Sequence, residues 1–171
     1  METDPRVEER PSQSYAGIRG EAKNEQEFGD AVDSTFPAVF DWLGRKGIAP
    51  AGPPFIRTEE VGEGGVPRRF EVGVPVSVPF DGDEEVERRE LPAGRYATLL
   101  HRGPYTHDEV RDLDDARHEL LAWARDENIE VASAASPPGR SCEICVDRFL
   151  VDASSEPDWT KWETELSYLL A

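Results

Sequence analysis

The sequence predicts an antiparallel α+β domain built from two strand–helix–strand–strand units in tandem. The same order of elements can be read on both sides of a charged turn, Asp81–Glu85, close to the middle of the 171 residues. A repeated order of elements indicates an internal pseudo-repeat. Only two helical patterns occur, whereas a parallel sheet would need a crossover helix for nearly every strand. The strands are therefore expected to pair mainly in antiparallel fashion.

The first unit is expected to contain one helix and three strands. Apolar residues at helical spacing predict the helix, and they are Phe28, Val32, Phe36, Val39 and Leu43. Pro37 interrupts the pattern, so the helix either bends there or begins near Ser34, a residue type that caps helices. Gly47 is expected to end it. The strands are predicted near Gln13–Gly20, Phe55–Thr58 and Arg69–Val78.

The second unit repeats this order of elements. Its helix is predicted from about Thr106 to Asp126. The buried stripe of that helix is expected to consist of Val110, Leu113, Ala116, Leu120 and Ala124. The strands of the second unit are predicted near Arg88–His101, Cys142–Leu150 and Thr164–Leu170.

Length and composition limit the classes of function. The length suits one domain, which we expect to span 1–171 with halves of about 7–80 and 86–171 and a flexible start over 1–6. The chain has 36 acidic and 19 basic residues, a formal net charge of −17, whereas nucleic-acid binding needs clustered Lys and Arg. The apolar stretches are too short for a membrane-spanning helix, and the first residues carry no secretory signal. We therefore expect a cytoplasmic protein that binds neither nucleic acid nor membrane.

The two cysteines, Cys142 and Cys145, have the spacing of redox and zinc motifs. Zinc would need two further ligands, and the chain offers only three histidines and no second cysteine pair. A redox pair normally opens a helix, whereas these residues lie in a predicted strand, where positions three apart face opposite sides. We expect inert, reduced thiols and no metal. Nucleotide-binding glycine motifs are absent from the sequence, so no cofactor is expected.

Small residues surround a glutamate on the strand predicted over Arg69–Val78. Alternation places five apolar residues on the core side, Phe70, Val72, Val74, Val76 and Val78. The other face carries Glu71 with small residues, namely Gly73, Pro75, Ser77 and Pro79. Such residues leave room above the sheet, as on the floor of a cleft, although a solvent-exposed Glu71 on a half-buried strand is the alternative. In the second unit, Glu165 occupies the matching place.

Glu143 is another candidate anchor, since alternation places it on one strand face with Cys145, Asp147 and Phe149. A carboxylate among apolar neighbours is costly to bury without a partner. A cationic, partly aromatic ligand would relieve that cost by ion pairing and cation–π contact. The candidate aromatic contacts, each of which also suits core packing, are Tyr15, Trp42, Phe55, Tyr105, Trp123 and Phe149.

Several segments resemble the motifs of one family. Phe70–Val76 (FEVGVPV) resembles a strand of the GyrI-like (gyrase-inhibitor-like) small-molecule-binding family. Leu91–Ala97 (LPAGRYA) followed by His101–Tyr105 (HRGPY) resembles that family's central signature. Leu121–Ala124 (LAWA) resembles its helix, and Lys161–Leu166 (KWETEL) its closing strand. The resemblance covers nearly the whole chain, in the expected order.

The resemblance implies a pseudo-twofold, barrel-like α+β domain with a ligand site in a cleft between its halves. In multidrug-responsive transcription regulators such a domain is the effector-binding module, and this chain resembles a standalone member. Glu143 stands where the family has its ligand-contacting glutamate, so the resemblance implies Glu143 as the main anchor, with Glu71 as the substitute. Cys142 and Cys145 replace the aromatic residues that the family has near it. Some standalone relatives resemble hydrolases that open the cyclopropane rings of alkylating natural products with a carboxylate and an aromatic hydroxyl.

The sequence leaves three functional hypotheses open. In the first, the protein senses or sequesters cationic or amphipathic small molecules, and the candidate contacts are Glu143, Glu71, Glu165, Tyr105, Trp123, Phe55, Tyr15 and Phe149. In the second, the protein is a hydrolase with Glu143 or Glu71 as general base and Tyr105 or Tyr15 as proton donor. In the third, the acidic surface binds a protein partner such as gyrase.

Overall fold

The computed structural model describes residues 4–60, 68–105, 110, 112–131 and 145–171. Over these residues it contains eight strands, two α-helices and one turn of 3-10 helix. In chain order they are β1 (Arg6–Arg10), β2 (Gln13–Ala22), α1 (Glu25–Lys46), β3 (Phe55–Glu60), β4 (Arg68–Pro75), β5 (Glu87–Leu91), β6 (Gly94–Arg102), α2 (Leu113–Asp126), β7 (Cys145–Val151), the 3-10 turn (Trp159–Lys161) and β8 (Glu163–Leu169).

The described strands form one sheet in the order β1-β6-β8-β7-β3-β4-β2-β5, and neighbouring strands run antiparallel. The two halves of this order match strand by strand from the centre outward, so that β3 of the first unit is equivalent to β7 of the second, β4 to β8 and β2 to β6. At each edge, the first strand of one unit pairs with the second strand of the other, β1 with β6 and β5 with β2. The predicted α+β fold with two related units is confirmed, and its sheet curls into a half-barrel.

Two strands differ from their sequence predictions. β1 is not predicted by apolar alternation, because four of its five residues are charged and it lies at the sheet edge. The prediction gives a flexible start up to residue 6, yet Arg6 already pairs with Thr98. The single strand predicted over Arg88–His101 is in fact β5 and β6, which are separated at Pro92, a residue with no N–H to give to a ladder.

Helix α1 runs without a break through Pro37. Its N-cap is Asn24, whose side chain accepts a 2.8 Å hydrogen bond from the Glu27 amide, so the alternative of a start near Ser34 is wrong. The Ser34 hydroxyl instead donates to the Ala31 carbonyl within the helix. Gly47 ends the helix as predicted, with a left-handed φ of 69° that favours glycine.

Helix α2 begins at Leu113, later than predicted. Asp112 and Asp115 form a capping box there, each side chain accepting from the other residue's amide at 3.0 Å. Val110 is 44% exposed and does not belong to the buried stripe, because it precedes the helix. The predicted start at Thr106 lies outside the described residues. In the described part of the chain, no helix has both the length and the apolar character needed to cross a membrane.

Strand β4 is shorter than predicted. It ends at Pro75, and the amide of Val76 then donates to the Ser14 carbonyl at 3.0 Å. Val76 is buried, but Val78 is 49% exposed, so Val78 does not share the core side as alternation predicts. The prolines at positions 75 and 79 have no N–H for a ladder, which explains why the chain leaves the sheet in this stretch.

The two helices cover one face of the sheet. α1 packs over β2 and β4 through Val39, Trp42 and Leu43, and α2 packs over β6 through residues that include Ala116 and Leu120. Side chains alternate between faces along each strand. A third buried cluster therefore lies on the opposite face, hereafter the inner face, and its members are Tyr15, Phe55, Leu91, Tyr96 and Val146.

Candidate functional site

One half of the inner face carries a tyrosine, an arginine and a glutamate from the three adjacent strands β2, β3 and β4. Arg57 on β3 is the cross-strand partner of Glu71 on β4, and Tyr15 on β2 pairs with Pro75, four residues further along β4. Their sequence neighbours Ala16, Ile56 and Val72 belong to the cluster under α1. Alternation thus turns all three polar side chains away from the helices.

These side chains form a buried hydrogen-bonded cluster together with Arg89 of β5. The Tyr15 hydroxyl donates to Glu71 Oε1 at 2.5 Å, and Arg89 Nη1 donates to the same oxygen at 2.9 Å. Arg57 Nη1 donates to the Tyr15 hydroxyl at 3.1 Å. Hereafter the inner cluster means Tyr15, Arg57, Glu71 and Arg89. Glu71 and Tyr15 are fully buried, so the alternative of a solvent-exposed Glu71 is wrong.

Electrostatics keep the Tyr15 phenol protonated. Burial, followed by the negative charge of Glu71 and the hydrogen bond to it, raises the pKa of Tyr15 well above its ordinary value. Tyr15 therefore donates its single proton to Glu71 and accepts from Arg57. With one carboxylate and two guanidinium groups, the inner cluster carries one more positive than negative charge.

Two atoms of this cluster have no hydrogen-bond partner among the described residues, although both are buried. They are Glu71 Oε2, an acceptor, and Arg57 Nε, a donor. Leaving a buried polar atom unpaired costs about 1–3 kcal/mol, and more when the group is charged. The inner cluster therefore holds one buried acceptor and one buried donor whose hydrogen-bonding capacity is unused.

The small residues beside Glu71 make room for side chains rather than for an open floor. A Cβ at Gly17 would lie 2.6 Å from Glu71 Oε2. A Cβ at Gly73 would lie 2.5 Å from the ring of Phe55 and 2.9 Å from the ring of Tyr15. The sequence is right that glycine creates space on this face. That space is occupied by the carboxylate of Glu71 and by two aromatic rings.

The second unit carries a related set of residues. When Glu165 is placed on Glu71, the ladder registers bring Tyr96 onto Tyr15 and Arg148 onto Arg57. Glu165 bonds to different groups, Arg10 Nη1 at 2.7 Å, Arg148 Nη1 at 3.3 Å and the Ser167 hydroxyl at 3.2 Å. The Tyr96 hydroxyl donates to the Pro92 carbonyl instead of a carboxylate. Burial, and then the neighbouring charge of Arg10, lower the pKa of Arg148.

The predicted aromatic contacts divide between the two faces. Phe55 lies on the inner face, with its ring edge-on to Tyr15 at 4.9 Å between centroids. Three others lie with the helices: Tyr105 and Trp123 pack on the α2 cluster, and Phe149 packs on the α1 cluster. Tyr105 and Phe149 contact each other there at 5.6 Å. Trp42, a residue of α1, is buried between this helix and the sheet, and its indole N–H donates to Asp83 at 2.9 Å.

The C-x-x-C segment is only partly visible. Glu143 and Cys142 lie outside the described residues. Cys145 is buried in the α2 cluster, and Asp147 and Phe149 also face the helices. Arg117 of α2 lies 3.6 Å from the Cys145 sulfur and pairs with Asp147 at 2.8 Å. In the part of the chain that the structure describes, no group of three His, Cys, Asp or Glu residues is placed to hold a metal ion.

Of the residues that the sequence predicts for the site, Tyr15, Phe55, Glu71 and Glu165 lie on the inner face, whereas the arginines of that face are not predicted. Arg57 follows Phe55 by two residues and so must share its face, a signal that the sequence contains. Arg89 reaches Glu71 only because β5 and β4 both pair with β2. No local pattern in the sequence shows that pairing.

The chain belongs to a known family. The GyrI-like small molecule binding domain matches residues 3–137, which is most of the chain. The family assigned from the motifs is thus confirmed. A comparison with curated protein sequences gave no match.

Solved structures share this fold at low sequence identity. The C-terminal domain of EcmrR has a TM-score of 0.78 at 14% identity, with 98% of this chain and 97% of that chain covered. EcmrR in a complex with DNA gives 0.76 at 16% identity, and the match spans 98% of this chain but only 57% of that chain. SAV2435 bound to tetraphenylphosphonium gives 0.62 at 9% identity, with 99% and 94% covered. At these identities the likeness shows the fold alone.

Proposed function

We propose that the chain senses or sequesters amphipathic small molecules, cationic ones among them, on the inner face between its two halves. The observation that carries the proposal is the carboxylate of Glu71, which is fully buried and has one oxygen without a hydrogen-bond partner among the described residues. Membership of a small-molecule-binding family supports the same conclusion.

The surroundings of Glu71 suit an amphipathic ligand. Tyr15, Phe55, Tyr96 and Val146 supply apolar surface next to a few polar atoms, the usual composition of a small-molecule site. Because these apolar side chains pack on one another, a ligand has to displace some of them. SAV2435, which shares the fold, is bound to a lipophilic cation with four aromatic rings.

Arg89 explains how a cation could be accommodated. It pairs with Glu71 at 2.9 Å, while its side chain is 21% exposed, so it has access to water. A cationic ligand would replace Arg89 as the counter-ion of Glu71, and the released guanidinium would be solvated. Glu143 stays a proposed second anchor because of its position in the family motif.

Calorimetric titration with tetraphenylphosphonium and with neutral triphenylphosphine oxide tests this proposal. We expect the native chain to bind both compounds. Glu71→Gln keeps the shape and deletes the charge, so it should weaken binding of the cation by about 2–4 kcal/mol, within the range for removing one member of a charge pair, and spare the neutral oxide. Glu165→Gln is the matched control. Failure of the native chain to bind either compound would reject the proposal.

The contact between Tyr15 and Glu71 favours a hydrolase as the second candidate. The carboxylate can take a proton from water that attacks a strained ring carbon. The aromatic hydroxyl gives its proton to the dienone oxygen, which receives the electrons of the broken carbon–carbon bond, and the carboxyl then returns its proton to the hydroxyl. Tyr105, the other predicted proton donor, lies in the α2 cluster on the opposite face from Glu71. Incubation with a spirocyclopropyl dienone should then yield a product heavier by one water, and Glu71→Gln should abolish it. An unchanged substrate would exclude this activity on that class of compound.

A further inference from the structure

We infer that the ligand group that binds the inner cluster most tightly is uncharged and carries both a hydrogen-bond donor and an acceptor, as a secondary amide does. Its N–H would bond to Glu71 Oε2, and its carbonyl would accept from Arg57 Nε. This inference rests on the proposed function and names the chemical class of its ligand.

The first argument is the kind of atom left unpaired. Glu71 is fully buried and Arg57 is nine-tenths buried, and each has one polar atom without a partner among the described residues. The two residues are direct cross-strand neighbours on one face of the sheet. One atom can only accept and the other can only donate. A ligand that bonds to both must therefore carry both functions.

The second argument is the position of each side chain. Glu71 Oε1 is already bonded to Tyr15 and Arg89, which fixes the carboxylate and leaves Oε2 over Gly17. Arg57 is held by its Nη1 bond to the Tyr15 hydroxyl, which leaves its Nε–H to another acceptor. Glu71 and Arg57 are thus held by hydrogen bonds within the inner cluster, and the side chains that a ligand displaces are the apolar ones around them.

The third argument is charge. Among the described residues Arg57 has the Tyr15 hydroxyl as its hydrogen-bond partner and pairs with no carboxylate. An arginine does not lose its proton in a protein, so a cation that replaces Arg89 on Glu71 would still lie near the positive charge of Arg57 and would bind less tightly than a neutral group. An anion would pair with Arg57 but would be repelled by Glu71. An uncharged amide bonds to both atoms and adds no charge.

Three biphenyl probes separate these cases. N-methylbiphenyl-4-carboxamide has a donor and an acceptor, its N,N-dimethyl analogue has the acceptor alone, and biphenyl-4-ylmethylammonium is a cation with donors alone. Affinities for the native chain are measured by calorimetry, with tetraphenylphosphonium titrated in parallel. We expect the N-methyl amide to bind about tenfold more tightly than either of the others, as one hydrogen bond to a charged group provides.

The variant Arg57→Met removes the guanidinium and keeps a long side chain. It should bring the N-methyl amide within about twofold of the ammonium probe, while Arg148→Met, at the equivalent place in the second unit, should leave the tenfold preference unchanged. The ratio between the two amides in the native chain tests the inference even if Arg57→Met fails to fold.

Two outcomes distinguish this inference from the function on which it rests. Equal binding of both amides, or tighter binding of the ammonium probe, would overturn the inference and leave amphiphile binding standing. If the native chain binds none of the three probes and no tetraphenylphosphonium, the proposed function fails and the inference fails with it.

Discussion

The two units of this domain place the same three residue types at equivalent points of one sheet and use them differently. In the first unit, Tyr15 donates to Glu71, and both are fully buried. In the second unit, Tyr96 donates to a backbone carbonyl, and Glu165 is 20% exposed and shared among Arg10, Arg148 and a serine. The strand registers are the same in both units, so they do not explain the difference.

The difference follows from two glycines. Gly17 and Gly73 correspond to Thr98 and Ser167 of the second unit. Glycine lets the Glu71 carboxylate and the rings of Tyr15 and Phe55 lie directly against the strands. A Cβ at either glycine would lie only 2.5–2.9 Å from these groups. In the second unit a hydroxyl side chain occupies each of these places, and Ser167 bonds to Glu165 itself. One unit has a compact buried charge cluster, and the other has a partly exposed ion-pair network.

The largest expected effect comes from filling the first unit's glycine space. Gly73→Ala places a methyl group against the Phe55 and Tyr15 rings, which are buried and have little room to move. Overpacking of this kind costs about 1–3 kcal/mol, and we expect about 3 kcal/mol in the free energy of unfolding by urea denaturation. Ser167→Ala is the matched change in the second unit and should cost less, about 1.5 kcal/mol, the low end of the range for a hydrogen bond to a charged group, because Glu165 is partly exposed. Equal losses would contradict the role given to glycine.

A smaller effect is expected from removing each tyrosine hydroxyl. Tyr15→Phe deletes a hydrogen bond to a buried carboxylate and leaves Arg57 without its acceptor, so the loss should be about 2 kcal/mol. Tyr96→Phe deletes a bond to a neutral carbonyl and should cost about 1 kcal/mol. Urea denaturation of both variants measures the two values. A larger loss for Tyr96→Phe would reverse the comparison between the units.

The smallest expected effect is on the response to high pH. The pKa of Tyr15 is raised in the folded chain, first by burial and then by Glu71, whereas the unfolded phenol titrates near its ordinary value of 10.0. Above pH 10 the unfolded state therefore loses a proton that the folded state keeps, and stability falls as the pH rises. The pKa of Tyr96 is raised too, but less far.

Tyr15→Phe should consequently flatten the loss of stability between pH 10 and 11 by about 1 kcal/mol, since one fully shifted group contributes about 1.4 kcal/mol per pH unit. Tyr96→Phe should flatten it less. The measurement is the free energy of unfolding as a function of pH for the native chain and both variants. Parallel curves for the native chain and Tyr15→Phe would show that the phenol of Tyr15 is not held protonated by folding.

The sequence predicts the fold well because the fold depends on local patterns. Alternation identifies the central strands, and apolar spacing identifies both helices, since these elements bury one face against a core. β1 escapes prediction because an edge strand of charged residues has no such face. The alternative start near Ser34 is wrong because the packing of α1 on the sheet outweighs the one hydrogen bond that Pro37 removes.

The candidate site is predictable only in part. Alternation shows which residues share a face of the sheet, but it does not show which strands pair. Alternation correctly turns Glu71 away from the α1 core and groups Cys145 with Asp147 and Phe149. It does not say which face the helices cover, so Phe149 is assigned to the ligand side although it packs under α1. The partners of Glu71 come from β2 and β5, far away in sequence, and become its neighbours only when the sheet assembles.

The exchange of edge strands between the two units has a consequence for how the domain comes apart. β1, at the start of the chain, pairs with β6 of the second unit, while β5 of the second unit pairs with β2 of the first. Each unit thus supplies the outermost strand beside the other unit. Unfolding either unit therefore removes the edge strand from the other unit and leaves the backbone N–H and C=O groups of the next strand without partners. The domain should therefore melt in a single cooperative transition, and neither half should persist alone as a folded monomer.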